Sequence, residues 1–151
     1  MHRTVMLLEA RIAWVMFAGS ALPLFAQSAL STQLACPESI PAASIQLQAL
    51  PSGWTPYVDG PLYLSGAAPI DGPPQRRGQL VPGSERKQQG WSVARYRLEG
   101  GHPDGKWLQC SYGAYGEISL SKRLDDSVSF CKISYRKGGK AGQSEVRVDC
   151  R

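Results

Sequence analysis

Four cysteines constrain the fold of this chain more than any other feature, because all of them lie downstream of a leader typical of exported proteins. An apolar run at residues 12–25 follows a charged start. That layout predicts a secretory signal peptide over residues 1–28, cleaved within residues 26–29. An even number of cysteines in an oxidising compartment predicts two disulfides. The four are Cys36, Cys110, Cys131 and Cys150.

The segment after the leader is predicted to be one disulfide-bonded domain over residues 29–151. Its length suits a single hydrophobic core, and no later apolar stretch is long enough to span a membrane. The whole chain carries 17 basic and 12 acidic residues, a formal net charge of +5. Such a mild excess permits binding to acidic surfaces. We therefore expect a periplasmic or secreted protein without a membrane span in its mature form.

Short stretches of alternating polar and apolar residues predict an all-β fold. No stretch after the leader repeats apolar residues with helical spacing. The pattern predicts a small, disulfide-stapled antiparallel sandwich or partly open barrel of about six to eight strands. Residues 72–90 contain three prolines and four glycines and are expected to form a long exposed loop. Five side chains are expected to point inward: Leu108, Cys110, Tyr112, Ile118 and Leu120.

The pairing of the cysteines depends on how the last strands are arranged. In a flat meander over residues 107–135, Cys110 and Cys131 would lie on the outer strands. These strands would be about 9.5 Å apart, beyond the roughly 7 Å that a disulfide spans. A hairpin turning at residues 137–142 instead sets Cys131 opposite Cys150, which leaves Cys36 to pair with Cys110. The alternative, Cys110 with Cys131 and Cys36 with Cys150, stays open if the chain crosses between sheets after residue 116.

The same hairpin register separates the side chains of these two strands into two faces. Ile133 lies opposite Val148 and Tyr135 opposite Val146, which makes one face apolar. The other face is polar, as a half-buried sheet requires. It carries Lys132, Ser134, Arg136, Glu145, Arg147 and Asp149.

The predicted loop is locally positive and supplies most of the candidate binding residues. These candidates are Arg76, Arg77, Arg86 and Lys87, together with Trp91 as a contact platform. The simpler interpretation is a solvated loop kept soluble by its charge, with Trp54, Trp91 and Trp107 packed in the core. Nucleic acid is not an expected partner, because the basic residues lack interleaved aromatic side chains for base stacking.

The sequence offers few groups for catalysis. His102 is the only histidine after the leader, and its proximity to Asp104 predicts local turn hydrogen bonds rather than a catalytic pair. Asp125 and Asp126 are adjacent at a turn, where neither carboxylate would gain the raised pKa that acid catalysis uses. The cysteine spacing does not fit a zinc site. We therefore expect no catalytic residue, no metal and no cofactor.

The order of several short motifs resembles a family of small exported Gram-negative bacterial proteins for which no activity is known. The motifs are Cys36-Pro37, Pro51-x-Gly53-Trp54, Asp71-Gly72-Pro73-Pro74, Trp107-Leu108-x-Cys110-x-Tyr112, Leu120, Leu124, Cys131 and Cys150. The resemblance covers essentially the whole mature chain. It implies a signal peptide and a disulfide-bonded domain, and it carries no functional residues with it.

These observations favour an exported, non-catalytic domain of the cell envelope that binds or inhibits another protein or an anionic envelope component. An acidic envelope protein or an anionic polymer is the expected partner, because the domain is mildly basic. The alternatives are a structural envelope component and, with less support from the residues, a small envelope hydrolase.

Overall fold

The computed structural model describes residues 34–151, so the predicted signal peptide and its cleavage site lie outside the described residues. This part of the chain forms nine strands and two short 3-10 turns, Ala42–Ser44 and Pro74–Arg76. Every strand pairing is antiparallel, which confirms the predicted all-β class. The strands are β1 (Ser39–Ile40), β2 (Leu62–Asp71), β3 (Gly78–Gln79), β4 (Ser84–Gln88), β5 (Trp91–Arg97), β6 (Lys106–Tyr112), β7 (Ile118–Arg123), β8 (Phe130–Lys137) and β9 (Ser144–Cys150).

Two open sheets face each other. The first sheet has the order β1-β2-β6-β7, with β3 paired to the end of β2, and the second has the order β4-β5-β8-β9. Neither sheet closes on itself, so the fold is a sandwich rather than a barrel. The chain crosses from the first sheet to the second between β7 and β8. Of the two arrangements left open for residues 107–135, the flat meander does not form, because the third strand belongs to the other sheet.

The hydrophobic core lies between the two sheets and follows the alternation of their strands. Along β6, Leu108, Cys110 and Tyr112 are buried at every second position, and Ile133 of β8 is fully buried opposite them. The expectation for Leu120 is wrong, because it remains 43% exposed. Its strand, β7, is an edge strand, so only one side of it is covered.

Both disulfides have the pairing that the sequence favours. Cys131 and Cys150 lie directly opposite each other on β8 and β9, with their Cα atoms 4.1 Å apart. Cys36 is bonded to Cys110 of β6, with a Cα separation of 5.8 Å. The β8–β9 register is also the predicted one, because Ile133 lies opposite Val148. The hairpin therefore determines the pairing even though the chain does cross between the sheets.

The expectation of a long exposed loop at residues 72–90 is wrong in its second half. Residues 84–88 form β4, which pairs with β5 along its whole length. The two strands are joined by Gln89 and Gly90, whose φ angles are +49° and +79°. Positive φ at both central residues is the geometry of a type I′ turn, which matches the twist of the flanking strands. The basic residues of β4 are consequently held in a sheet.

Candidate functional site

The outer face of the second sheet carries a concentrated excess of positive charge. Alternation along its four strands sends every second side chain away from the core, and the register aligns these side chains in rows. Arg151 extends this face beyond β9, because its amide bonds the carbonyl of Phe130. We call this surface the cationic face. Its cations are Arg86, Arg95, Arg97, Lys132, Arg136, Arg147 and Arg151, and its carboxylates are Glu145 and Asp149.

The charge of the protein is unevenly divided between this face and the remaining surface. Seven cations and two carboxylates give the cationic face an excess of five positive charges, as large as the net charge of the entire chain. The other residues of the range 34–151 include eight cations and nine carboxylates, which nearly cancel. A single-sign surface of this kind attracts and orients a partner of opposite charge.

Most cations of this face are not neutralised within the protein. Lys132 bonds Asp149 at 3.0 Å and Arg136 bonds Glu145 at 2.6 Å. Among the described residues, no carboxylate lies within ion-pair distance of the other five. The five unpaired cations are Arg86, Arg95, Arg97, Arg147 and Arg151, and they are available for intermolecular contacts. The two ion pairs are half-exposed and contribute little to stability, so Lys132 and Arg136 can also exchange their carboxylates for those of a partner.

Trp91 is the aromatic centre of the cationic face. The guanidinium carbons of Arg136 and Arg147 lie 4.6 and 4.2 Å from its ring centroid. Both distances are within the range of cation–π attraction. The stacking restricts the two long side chains, so less conformational entropy is lost when they bind a partner. Trp91 follows directly after the Gln89–Gly90 turn, which fixes its place at the end of the sheet.

A cleft of about 450 Å³ opens beside Trp91 on this face. We call it the Trp91 cleft. Val93 is only 7% exposed and supplies an apolar surface among the charged side chains. The charged residues that line the cleft are all cations. Its lining includes Gln88, Trp91, Val93, Arg95, Lys132 and Arg147.

The predicted binding residues lie in three places, and only two of these residues belong to the cationic face. Arg86 and Trp91 belong to the cationic face, opposite Val93 and Gln88 respectively. Lys87 alternates to the other side of β4, opposite Ser92.

Arg76 and Arg77 lie in the connection between β2 and β3, at the end of the first sheet. Arg76 is paired with Asp104, and Arg77 is exposed in the left-handed backbone region.

The larger share of the cationic face comes from β5, β8 and β9. The hairpin alternation already groups its β8 and β9 members on one polar face, but the adjacency of β5 and β8 has no local sequence signal.

An interaction with Tyr135 fixes the edge strand β4. The Tyr135 hydroxyl donates a hydrogen bond to the Glu85 carboxylate. This hydrogen bond, with partial burial, raises the pKa of Tyr135 above its usual value. Since Glu85 precedes Arg86, the contact supports the position of Arg86 on the opposite side of the strand.

The tryptophans do not all pack in the core, contrary to expectation. Trp54 is 74% exposed, in the irregular segment before β2, and Tyr57 nearby is 83% exposed. Trp107 is partly buried, and its indole N–H donates to the carbonyl of Asp104. Of the three tryptophans in the described residues, only Trp91 lies among unpaired cations.

The remaining titratable residues are engaged in local interactions. The imidazole of His102 pairs with Asp71 at 2.8 Å, so the partner of His102 is on β2 rather than at Asp104. Asp125 accepts hydrogen bonds from the hydroxyl and amide of Ser127, which lower the pKa of its carboxyl group. In residues 34–151 no group of His, Cys, Asp and Glu side chains has the arrangement of a metal site, and no cysteine is free.

A comparison with protein families gives one match. The family model described as Type VI secretion system Tli immunity protein matches residues 59–151, which is more than half of the chain. The matched range contains both sheets from β2 onward and the whole cationic face. No curated protein and no solved structure matches. In the part of the chain that the structure describes, no helix has the length and apolar character needed to cross a membrane.

Proposed function

This chain belongs to the Type VI secretion system Tli immunity protein family, and from that premise we propose that it is a non-catalytic protein that binds and inhibits a partner effector. The match to the family model carries this proposal, because it extends over nearly all of the two sheets. The fold supports it, since a rigid, disulfide-stapled sandwich presents preordered side chains to a partner at little entropic cost.

The cationic face is the proposed interface with the effector. Arginine and tryptophan are the residue types that most often dominate the energy of protein interfaces. Here Trp91 shares one sheet surface with Arg95 and Arg147, which have no carboxylate of residues 34–151 within ion-pair distance. Of the residues expected from the sequence, Arg86 and Trp91 belong to this interface.

The partner is proposed to present an acidic surface. An excess of five positive charges on one face would accelerate encounter with such a surface and would repel a basic one. We also propose that the protein acts in the periplasm or as a secreted protein, as the four disulfide-bonded cysteines and the expected signal peptide favour.

Charge reversal on the cationic face tests this function. The test uses the effector whose gene neighbours the gene of this protein. The double variant Arg95→Glu and Arg147→Glu should bind it about 100-fold more weakly than the wild type does, if each contact contributes about 1.4 kcal/mol. The control variant Arg77→Glu and Lys122→Glu changes the net charge equally but alters two exposed residues outside the cationic face, one in the β2–β3 connection and one on β7. Binding is measured by calorimetry, and protection is measured by growth of cells that produce the effector in the same compartment.

The expected result is that the control variant binds and protects like the wild type, whereas the face variant does neither. Equal binding by both variants would reject the cationic face as the interface. A wild-type protein that neither binds nor protects against any co-encoded effector would reject the proposed function itself.

A further inference from the structure

We propose that the Trp91 cleft receives an aspartate or glutamate side chain of the effector, with Arg147 as its main contact. This inference rests on the proposed function and deepens it, because it names the chemical group that the cationic face recognises. It follows from the lining of the cleft, from the state of Arg147 and from the apolar surface of Val93.

The lining of the cleft selects an anion. Arg95, Lys132 and Arg147 line it together, and the carboxylates of the cationic face are absent from its lining. Lys132 is already bonded to Asp149, whereas no carboxylate in residues 34–151 lies within ion-pair distance of Arg95 or Arg147. The cleft therefore has two unpaired guanidinium groups and no carboxylate in its lining. An anionic group that enters the cleft would neutralise part of this positive charge.

The state of Arg147 suits a carboxylate. Its guanidinium carbon lies 4.2 Å from the Trp91 ring centroid, and no carboxylate of residues 34–151 lies within ion-pair distance of its N–H groups. A guanidinium edge binds both oxygens of a carboxylate in a parallel pair of hydrogen bonds. Arg136 stacks on the same ring but is already bonded to Glu145 through two nitrogens. Arg147 is therefore the stacked arginine with unused capacity.

The apolar surface of the cleft favours a side chain over a small inorganic anion. Val93 lies at the centre of the outer face, between Arg86 and Ser134 in the register, and is nearly buried. The methylene groups of a glutamate or aspartate can contact Val93 while the carboxylate reaches Arg147. Inorganic phosphate has no methylene groups and would gain only the electrostatic part of this interaction.

A titration with short peptides tests the cleft without the effector. The probes are hexaglutamate, hexaglutamine and inorganic phosphate, each added to the folded, oxidised protein at low salt. We expect hexaglutamate to shift the NMR signals of the Trp91 indole N–H and the Arg147 Nε–H, hexaglutamine to leave them unchanged, and phosphate to bind more weakly than hexaglutamate. Absence of a shift with hexaglutamate, or tighter binding of phosphate, would overturn the proposal.

Variants of Arg147 then test the cleft in the complex with the effector. Arg147→Ala should weaken effector binding about 30-fold or more, because truncating one member of a buried charge pair has an effect of this size. Arg147→Lys keeps the charge but cannot form the parallel pair of hydrogen bonds, so it should recover only part of the loss. The control Arg97→Ala removes an unpaired arginine of the same face that does not line the cleft, and its effect should be less than about fivefold.

The outcomes separate this inference from the proposed function. If the wild type binds the effector and Arg147→Ala binds equally well, the carboxylate site is rejected while the immunity function stands. If full affinity is restored by Arg147→Lys, simple charge attraction explains the binding and the specific contact is rejected. If no effector binds the wild type, the function fails, and the hexaglutamate titration still decides whether the cleft takes a carboxylate.

Discussion

Replacing the two disulfides one at a time measures how much each bond contributes to the free energy of unfolding. The Cys36–Cys110 bond joins residues 74 positions apart, and the Cys131–Cys150 bond joins residues 19 positions apart. A disulfide stabilises chiefly by restricting the unfolded chain, and the restriction grows with the logarithm of the loop length. The loop lengths give about 4.4 kcal/mol for the first bond and about 3.2 kcal/mol for the second at 25 °C.

The two bonds are well matched for this comparison. Each contains one buried cysteine, Cys110 at 6% and Cys131 at 0% exposure, and one partly exposed cysteine. Changing both members of a bond to alanine therefore removes similar packing in the two cases. The remaining difference of about 1.2 kcal/mol in the free energy of unfolding reports the difference in loop length.

The assay is urea unfolding at 25 °C, followed by tryptophan fluorescence, for the wild type and both alanine pairs. We expect the Cys36→Ala and Cys110→Ala variant to lose more stability than the Cys131→Ala and Cys150→Ala variant. A loss below about 1 kcal/mol for the longer loop, or a larger loss for the shorter one, would refute the loop-entropy reasoning. Reduced and alkylated wild type provides the reference in which both bonds are absent.

Three further predictions concern single side chains and pH. Lys106→Met should lower the free energy of unfolding by about 2 kcal/mol or more in urea titrations, because the buried ammonium donates to two backbone carbonyls in the β7–β8 connection; an unchanged midpoint would contradict this. The pKa values of Tyr96, Tyr112 and Tyr135 are raised above 10.0 in the folded protein, so the unfolded chain loses these protons first as the pH rises. The stability from these groups should therefore be fully present below pH 10 and should fall as the pH rises through the folded-state values. Tyr112→Phe should make the fall in the free energy of unfolding between about pH 9 and 11 shallower. Gly90→Ala should lower the melting temperature through a cost of about 1 kcal/mol, because the left-handed backbone of the type I′ turn disfavours a Cβ atom, whereas Gly139→Ala, where an added Cβ meets nothing within 4 Å, should not.

The register of the β8–β9 hairpin could be predicted from the sequence, although the alternative cysteine pairing stayed open. One register satisfies both the apolar alternation and the opposition of Cys131 to Cys150, so local information overdetermines it. The β4–β5 hairpin was not predicted. Residues 84–88 read SERKQ and contain no apolar residue, because β4 is an edge strand with little contact to the core. The only local indication of this hairpin is its turn, and that indication is weak. Gly90 is typical of a type I′ turn, but Gln89 occupies the position where asparagine or aspartate is usual.

The candidate site was predictable only in part, because it depends on the order of strands in a sheet. Alternation assigns Lys132, Arg136 and Arg147 to one face of the hairpin, and this is the face that the structure shows. The neighbour of β8 is β5, which lies more than thirty residues earlier in the chain. That adjacency adds Trp91 and Arg95 to the face, and no local pattern in the sequence specifies it. Only the three-dimensional arrangement therefore reveals the Trp91 cleft.

The concentration of positive charge on the cationic face gives the molecule an electric dipole moment. One broad side is positive by five units, and the other described residues sum to minus one. In the field of an acidic protein such a molecule rotates as it diffuses, so that its positive side arrives first. Dissolved ions weaken this torque beyond about 8 Å at physiological ionic strength. Capture of an effector in a dilute medium would thus be faster than random collision allows, and salt would slow arrival more than it hastens departure.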